Sequence, residues 1–522
     1  MIAVLIWIYG VESLHWDEWG CEVPVLRSYL AGSLDWSTIH AQCNESRPTF
    51  SKILWLLLTL LSGTANPRWE MFTGWVIVCA TAWNVYRLSQ RSLSASRAAW
   101  LGVCVSALLF SATQQENWLW GLQMMLFLPA FLLTVWLRIA FCSVHPRFQI
   151  AWGTLLAILA TYSFANGFLV WPALFASLPL SRDKSWRWRA ATTWTLALIA
   201  TLILYFHDYQ RSSASTNYGA VLHDPLRAMQ YVLNFLGGPF AVSQSLATVI
   251  GFTLLLTLLL LGAKVRTEEA APWLILAGYA IASAAMAAVG RAAMGPQQAL
   301  DSRYGAFAVW LAVSVVSLGF LIPTGSRWIL SAALAMLGIL HGFSYVQGVR
   351  SMHYRALGIR YQRACLTFLF AAPAGDCAGN YPAWSADFLR ESAVALDQAG
   401  WLQPRLFRAE TAVPETYGKT DGNLEVSDLG TKWQMQGGVG GNPDAIVVAI
   451  RSGTARYMPL ALTQATRVVP MRQTPCAWRT LIDKSKIPIG AEVAAFAYRA
   501  TEPQWLQLGR SVILRDSGGW MH

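Results

Sequence analysis

The sequence predicts a polytopic α-helical membrane protein of about 11 transmembrane helices that ends in an extracytoplasmic β-sandwich domain. Three observations carry this. The chain of 522 residues is 55% hydrophobic and 13% charged, against about 25% charged in soluble chains, and a soluble core cannot absorb that much apolar surface. Apolar runs near spanning length recur through the first two thirds. After residue 347 hydropathy falls, and short alternating segments separated by Gly, Asp and Pro take over.

The apolar runs fall near residues 1–11, 50–63, 70–86, 98–112, 118–141, 148–163, 166–180, 190–206, 243–262, 271–289, 305–322 and 328–346, which predicts about 10 to 13 spanning helices. The first run has neither a basic n-region nor a small-residue cleavage site, so it reads as a short or truncated first helix, with an upstream start codon possible, and not as a signal peptide. Lys and Arg gather in alternate loops: Arg87, Arg91 and Arg97; Arg138 and Arg147; Arg182, Lys184, Arg187 and Arg189; Lys264 and Arg266; Arg327. Placing those loops in the cytoplasm puts the N-terminus inside. The Asp17-Glu18 loop, the Gln114-Gln115-Glu116-Asn117 turn, residues 207–242, the loop 290–304 and everything after about 347 then lie outside. Run 50–63 must then be a membrane-dipping or interfacial helix. The expected domains are 1–346 in the membrane, a periplasmic helical connector at 347–400 and a periplasmic β-sandwich at 401–522, all in a bacterial inner membrane protein.

Within the outer part, Ser385–Gln398 has helical character, and Ala445–Ile450, Val493–Tyr498 and Trp505–Leu508 read as strands. Gly437-Gly438-Val439-Gly440-Gly441 lacks a preceding strand and a following helix, so a flexible turn is expected there and not a phosphate loop. Asn166-Gly167 reads as a turn between two helices. The net charge of +11 is spread over short loops and forms no stripe, which argues against nucleic acid as a partner. Of the eight cysteines, Cys79, Cys104 and Cys142 lie in apolar runs and read as buried small hydrophobes. Cys21 with Cys43, and Cys365 with Cys377, close loops of ordinary disulfide length, and Cys476 is left over.

Two adjacent carboxylates follow the first apolar run in His15-Trp16-Asp17-Glu18-Trp19, and a loop of roughly 30 residues separates them from the next run, longer than helix connections usually are. The outer face also gathers Asn44-Glu45-Ser46-Arg47, Glu116-Asn117 with Trp120 and Gln123, and Gly290-Arg291 with Asp301-Ser302-Arg303-Tyr304. If residues 116–123 are helical, Glu116, Trp120 and Gln123 lie near one face. Transfer from a polyprenyl-phosphate sugar needs a carboxylate to accept the proton of the incoming hydroxyl and cationic forks to hold the departing phosphate. Arg suits that better than Lys because its planar donors engage oxygens in pairs. The scheme demands no cofactor and no metal, and no zinc-like His/Cys spacing appears; whether a divalent ion enters with the substrate stays open.

On these residues the chain resembles the GT-C superfamily of polytopic glycosyltransferases, which carry an acidic residue or pair in the first extracytoplasmic loop, here Asp17-Glu18. More narrowly it resembles bacterial membrane proteins with a Trp-Asp-Glu-Trp start, an Asn-Glu-His-Arg-like element, a Glu-Asn…Trp-Gly-x-Gln element and a Gly-Arg…Ser-Arg-Tyr element. The match covers about 340 residues by layout. Ser46 stands where His is expected, so no histidine role carries over. The resemblance implies Asp17 as base, Glu18 and Glu116 as supporting carboxylates, and Arg291 and Arg303 as phosphate ligands, with Arg47, Tyr304, Asn117 and Gln123 as further substrate contacts. The implied partners are a polyprenyl-phosphate sugar donor, a cell-envelope glycan or lipid acceptor, and membrane lipids.

Simpler readings stand beside these. Asp17 and Glu18 can be solvated loop charges, Glu116 can cap the following helix, and Arg303 and Tyr304 can anchor at the headgroup level. Arg291 can pair with Asp301, and Arg47 with Glu45 or lipid. A lipid or glycan transporter or flippase, an O-antigen ligase or polymerase, and an assembly subunit are the rival functions. Charges at helix ends and the lack of an internal repeat weigh against the transporter.

Overall fold

The structure, a computed structural model, describes residues 1–141, 146–180, 183–210, 220–322, 327–368, 385–402, 412–453, 455–466, 476–488, 490–500 and 504–514. Cys142, Arg182 and Cys377 lie outside them. The chain is mostly helical with a C-terminal β-sheet part, and it divides into two compact units. One comprises Met1–Gly10, Leu34–Leu58 and Arg68–His353; the other comprises Val11–Ser33, Thr59–Pro67 and Tyr354–His522. The first loop is divided between them: Val11–Ser33 belongs with the C-terminal unit and Leu34–Leu58 with the other.

In the first unit six helical stretches are long and apolar enough to cross a membrane: Ala95–Leu119, Gly121–Phe141, Lys184–Phe206, Gln244–Gly262, Thr267–Met294 and Ser302–Leu321. Shorter apolar helices occupy Thr49–Ser62, Phe148–Thr161 and Ala165–Leu180. Thr49–Ser62, 14 residues long, reaches only about 21 Å, short of the roughly 30 Å hydrocarbon core. The helices start where the sequence can satisfy their first N–H groups: Asp183 accepts from Trp186 N, Asp224 from Arg227 N and Ser243 from Leu246 N.

Asn166-Gly167 forms the expected turn, a 3-10 segment Ala165–Leu169, in which a Cβ on Gly167 would lie 1.8 Å from the Ala160 carbonyl oxygen. Elsewhere the structure departs from expectation. Residues 207–242 are not simply a loop. They hold the helix Pro225–Gly237, started by Asp224 and a proline at its first position. It packs backbone to backbone on Gln244–Gly262, since a Cβ on Gly237 would come within 2.0 Å of Ala247 O and one on Gly251 within 2.1 Å of Leu233 O. The stretch 116–123 is no continuous helix: a short helix Gln115–Leu119 stops at extended Trp120, and a 3-10 turn Gly121–Gln123 follows. The segment 290–304 consists of 3-10 turns Ala292–Met294, Pro296–Leu300 and Ser302–Tyr304, hinged at Gly295 with φ +103°. The expected helix 328–346 extends to Arg327–Thr367, 41 residues. Charged residues lower its hydropathy past 346, but nothing in that stretch breaks a helix.

In the second unit the helix Val23–Leu30 lies along Ala386–Gln398, with Arg27 Nη1 donating to Ser392 Oγ at 3.0 Å. Ser385 caps the latter helix through Phe388 N, as its sequence suggests. The strands are β1 (Gly418–Thr420), β2 (Glu425–Asp428), β3 (Lys432–Val439), β4 (Ala445–Arg451), β5 (Met458–Thr463), β6 (Cys476–Asp483), β7 (Glu492–Arg499), β8 (Gln504–Leu508) and β9 (Val512–Ile513). One sheet runs β1-β8-β7-β4-β5 with β9 beside β7; the other runs β2-β3-β6. All pairs are antiparallel except β1 with β8. Met435, Val439, Trp478 and Ile482 of the smaller sheet share one core with Ile446, Val448, Val493 and Ala495 of the larger. Residues Gly437 and Gly438, expected in a turn, lie in β3. A Cβ on Gly437 would meet Asn423 O at 1.9 Å, so glycine admits the crossing segment there. The end of the long helix is fastened to the larger sheet by buried Arg363, which pairs with Asp444 at 3.0 Å, while Asp444 also accepts from Ala500 N at 2.8 Å.

Cys21, Cys43 and Cys365 are disulfide-bonded, whereas Cys79 and Cys104 are free and only partly buried.

Candidate functional site

The expected site residues fall in both units, and each group is described on its own. In the second unit the chain turns at His15 to Glu18. Glu18 N donates to His15 O at 3.1 Å, while the Glu18 carboxylate accepts from His15 N at 2.5 Å. This reciprocal pair buries Glu18 completely, and Trp19 is buried with its indole N–H on Leu14 O at 3.2 Å. Asp17 is left partly exposed at the start of the short helix Glu18–Cys21. The two neighbouring carboxylates therefore differ in kind: Glu18 shapes the loop and Asp17 faces accessible space. Between them and His15 stands Trp16 at φ +46°. Burial, helped by the charge of Arg355, pushes the His15 imidazole down to about 3, which leaves it neutral at physiological pH.

In the first unit Arg291, at the end of Thr267–Arg291, does not pair with Asp301. Its Nη2 stands 3.4 Å from both carboxylate oxygens of Glu45, and both side chains keep about a quarter to a third of their surface accessible. Glu45 is in turn held by its carbonyl oxygen, which accepts from Tyr205 Oη and Tyr209 Oη at 3.2 Å each.

Arg303 is placed by the 3-10 turn that opens the next helix. Glu116 accepts from Ser302 Oγ at 3.1 Å and from Arg303 N at 3.2 Å, so it caps this distant helix start and not its own. The Arg303 guanidinium holds Asp301 at 2.9 Å through Nη2, while its buried Nε has no hydrogen-bond partner among the described residues. Asp301 accepts from Gln298 Nε2 at 3.0 Å, and Gln298 meets the hydroxyls of both Tyr304 and Tyr231. Tyr304 is thus buried in a polar network, its ring 4.8 Å from that of Phe235, and is no headgroup anchor. Burial and the Tyr304 hydroxyl push the Tyr231 phenol up, while Arg291 is near enough to act against the shift. Tyr231 is thus joined to the Asp301–Arg303 pair through Gln298.

Asn117 and Gln123 are both buried. Asn117 Nδ2 donates to Arg303 O at 3.1 Å, while Asn117 Oδ1 and Gln123 Oε1 have no hydrogen-bond partner among the described residues. Arg47, expected as a substrate contact, has another task. It is buried and donates through Nε to Tyr205 O at 2.6 Å, through Nη1 to His40 O at 3.2 Å and through Nη2 to His207 O. It closes the carboxyl end of Lys184–Phe206, where carbonyls lack helical donors, and its fork is spent on main chain. Nearby Lys52 is likewise buried on the carbonyls of Thr38 and Ala41.

Sequence reasoning missed Glu45 as the partner of Arg291 and missed Gln298 and Tyr231; it names Ser302 between Asp301 and Arg303 but assigns it no role. Gln298 stands three residues before Asp301, whereas nothing local marks Tyr231. Among the described residues no group of three or more His, Cys, Asp and Glu is placed to hold a metal. No protein-family model matches the chain, and no curated protein matches it in sequence.

Proposed function

We propose that the protein is a GT-C-type membrane glycosyltransferase that moves a sugar from a polyprenyl-phosphate-linked donor to a glycan or lipid acceptor of the cell envelope, at the periplasmic face of the bacterial inner membrane. The observation that carries the reading is that Arg291 and Arg303 each stand at the end of an apolar helix, partly exposed and held by one carboxylate, Glu45 or Asp301. Two guanidiniums there suit the phosphate of a membrane-embedded donor. Arg291 is held by Glu45 only at 3.4 Å, and about a third of the Arg303 side chain stays accessible beside Asp301, so both can offer donors to phosphate oxygens.

In the proposed reaction the acceptor hydroxyl gives its proton to a carboxylate as its oxygen bonds to the anomeric carbon. The bond from that carbon to the phosphate oxygen breaks, its electron pair stays on the phosphate, and Arg291 and Arg303 stabilise the growing charge. Asp17 is the base, because it is the accessible member of its pair. Glu18 and Glu116 act by position: one folds the Asp17 loop and the other fixes Arg303. Asn117, Gln123 and Tyr304 line the phosphate side. In the same reading about 11 helices cross the bilayer, with the N-terminus cytoplasmic and the two C-terminal sheets forming a periplasmic β-sandwich.

The test is release of free polyprenyl phosphate by purified protein given a panel of polyprenyl-phosphate sugars and cell-envelope acceptors. Release by wild type that disappears in Asp17→Asn, with folding intact, is the expected result. Release untouched by that change moves the base to Glu116. No release with any donor overturns the transferase and favours a lipid or glycan transporter.

A further inference from the structure

We propose that the indole of Trp16 is a stacking platform for the apolar face of a pyranose ring, set beside Asp17. The inference rests on the transferase reading for its choice of ligand, but its own argument comes from the conformation of this residue.

Among the described residues only three outside glycine have a positive φ: Trp16 at +46°, Asn44 at +51° and Asp208 at +54°. Asn and Asp tolerate the left-handed region because their short polar side chains bond locally. A bulky aromatic residue does not, and its presence there is a true outlier. The backbone at Trp16 is held in this state by the His15–Glu18 bonds on either side of it. Strain of this kind persists where the surrounding structure over-determines it, and it gathers at ligand-binding positions.

The strain is not that of a core residue. Trp16 keeps 49% of its surface accessible. Its ring stacks on the His15 imidazole, with centroids 5.4 Å apart and planes 24° from parallel, which fixes its orientation. That imidazole is buried and neutral, so the stack adds no charge behind the indole. An oriented, half-exposed indole beside a carboxylate is a composite suited to a sugar: the ring takes the axial C–H face, and the carboxylate takes a hydroxyl. Anchoring in a membrane interface is the rival task for an exposed Trp. It needs no left-handed backbone, and Trp7, Trp69, Trp83, Trp100 and Trp188 stand exposed on ordinary helices of this same chain.

The full-length protein in nanodiscs is examined by saturation-transfer difference NMR with methyl glycosides of glucose, galactose and mannose as probes. The variants are Trp16→Gly, Trp16→Phe and Asp17→Asn. Trp16→Gly removes the platform and relieves the left-handed backbone together. The expected result is transfer to the sugar-ring C–H protons in wild type, kept in Trp16→Phe and falling at least about fivefold in Trp16→Gly, with an unfolding temperature in Trp16→Gly equal to or above wild type. Transfer in Trp16→Gly equal to wild type overturns the proposal. So does the absence of transfer from wild type to every probe, or a fall in the unfolding temperature of Trp16→Gly. Asp17→Asn separates the two readings, because its amide still hydrogen-bonds a sugar hydroxyl but cannot take a proton: transfer reduced yet detectable where polyprenyl phosphate release is lost supports both. Transfer in a wild type that releases no polyprenyl phosphate leaves the platform standing and the transferase refuted.

Discussion

Replacing Glu116 tests whether this carboxylate acts by position or by chemistry, and the structure fixes what each substitution removes. Glu116→Ala deletes two hydrogen bonds, from Ser302 Oγ at 3.1 Å and from Arg303 N at 3.2 Å. A side-chain cap on a helix start contributes about 1 kcal/mol, and a hydrogen bond to a charged group roughly 1.5–3 kcal/mol where it is buried. Glu116 is only half-buried, so the expected loss is at the low end, about 2 kcal/mol. Glu116→Gln keeps an acceptor oxygen for the same two donors and gives up the charge alone, at a cost of about 0.5–1 kcal/mol. Thermal unfolding in detergent reads these differences, and polyprenyl phosphate release is measured on the same preparations. Release by Glu116→Gln should stay within about tenfold of wild type, which corresponds to about 1.4 kcal/mol of transition-state stabilisation. Glu116→Ala should lose more, through misplacement of Arg303. Abolished release in a Glu116→Gln protein that unfolds like wild type would refute the positional role and make Glu116 the proton acceptor. A Glu116→Ala protein as stable as wild type would refute the cap.

Three further outcomes are expected. His15 is held at about 3 in the folded protein against 6.5 unfolded, so below pH 6.5 the unfolded chain binds a proton that the folded one refuses. Stability present above pH 6.5 is therefore lost as pH falls toward 3, by about 2 kcal/mol at pH 5, and a pH series of unfolding on His15→Gln should show that much less acid sensitivity. Arg47→Met leaves the carbonyls of Tyr205, His40 and His207 without the Arg47 donors, and several kcal/mol of stability should go; folded protein recovered at low temperature should still release polyprenyl phosphate, because the Arg47 guanidinium is engaged with main-chain carbonyls. Gly251→Ala drives a methyl to 2.1 Å from Leu233 O, forcing the helices Pro225–Gly237 and Gln244–Gly262 apart at a cost of about 3 kcal/mol or more, visible as lost expression or a lowered unfolding temperature.

The parts legible in the sequence are those whose signal is local. Strands β4, β7 and β8 show as dense apolar segments bounded by turn residues, and Ser385 marks its helix by an N-cap side chain. Helix Pro225–Gly237 was hidden because it is amphipathic and lies between polar flanks, so hydropathy places it in a loop. The fall in hydropathy after 346 signals charge on a continuing helix, not an end. Site residues were recognisable by type, but their partners were not: Arg291 and Glu45 lie 246 positions apart, and no periodicity links them. Arg47 misled for the same reason, since an arginine that closes a helix end on main-chain carbonyls has no side-chain partner in the sequence to betray it.

The helix stretch Ser302–Leu321 is 89% buried within its apolar window, whereas the corresponding windows of Lys184–Phe206 and Gln244–Gly262 are 22% and 28% buried. Mean hydropathy does not foretell this, since the buried helix at 1.9 lies between the other two at 1.4 and 2.2, yet they live in different solvents. The first is surrounded by protein, which is why Ala306, Ala308, Ala312 and Gly319 suit it, and the others present Leu, Ile and Phe outward. A photoreactive carbene dissolved in the acyl chains should mark the outer two heavily and pass over Ser302–Leu321. Changes of lipid thickness or fluidity should reach the outer pair first, so that the helix carrying Arg303 is insulated from the state of the bilayer.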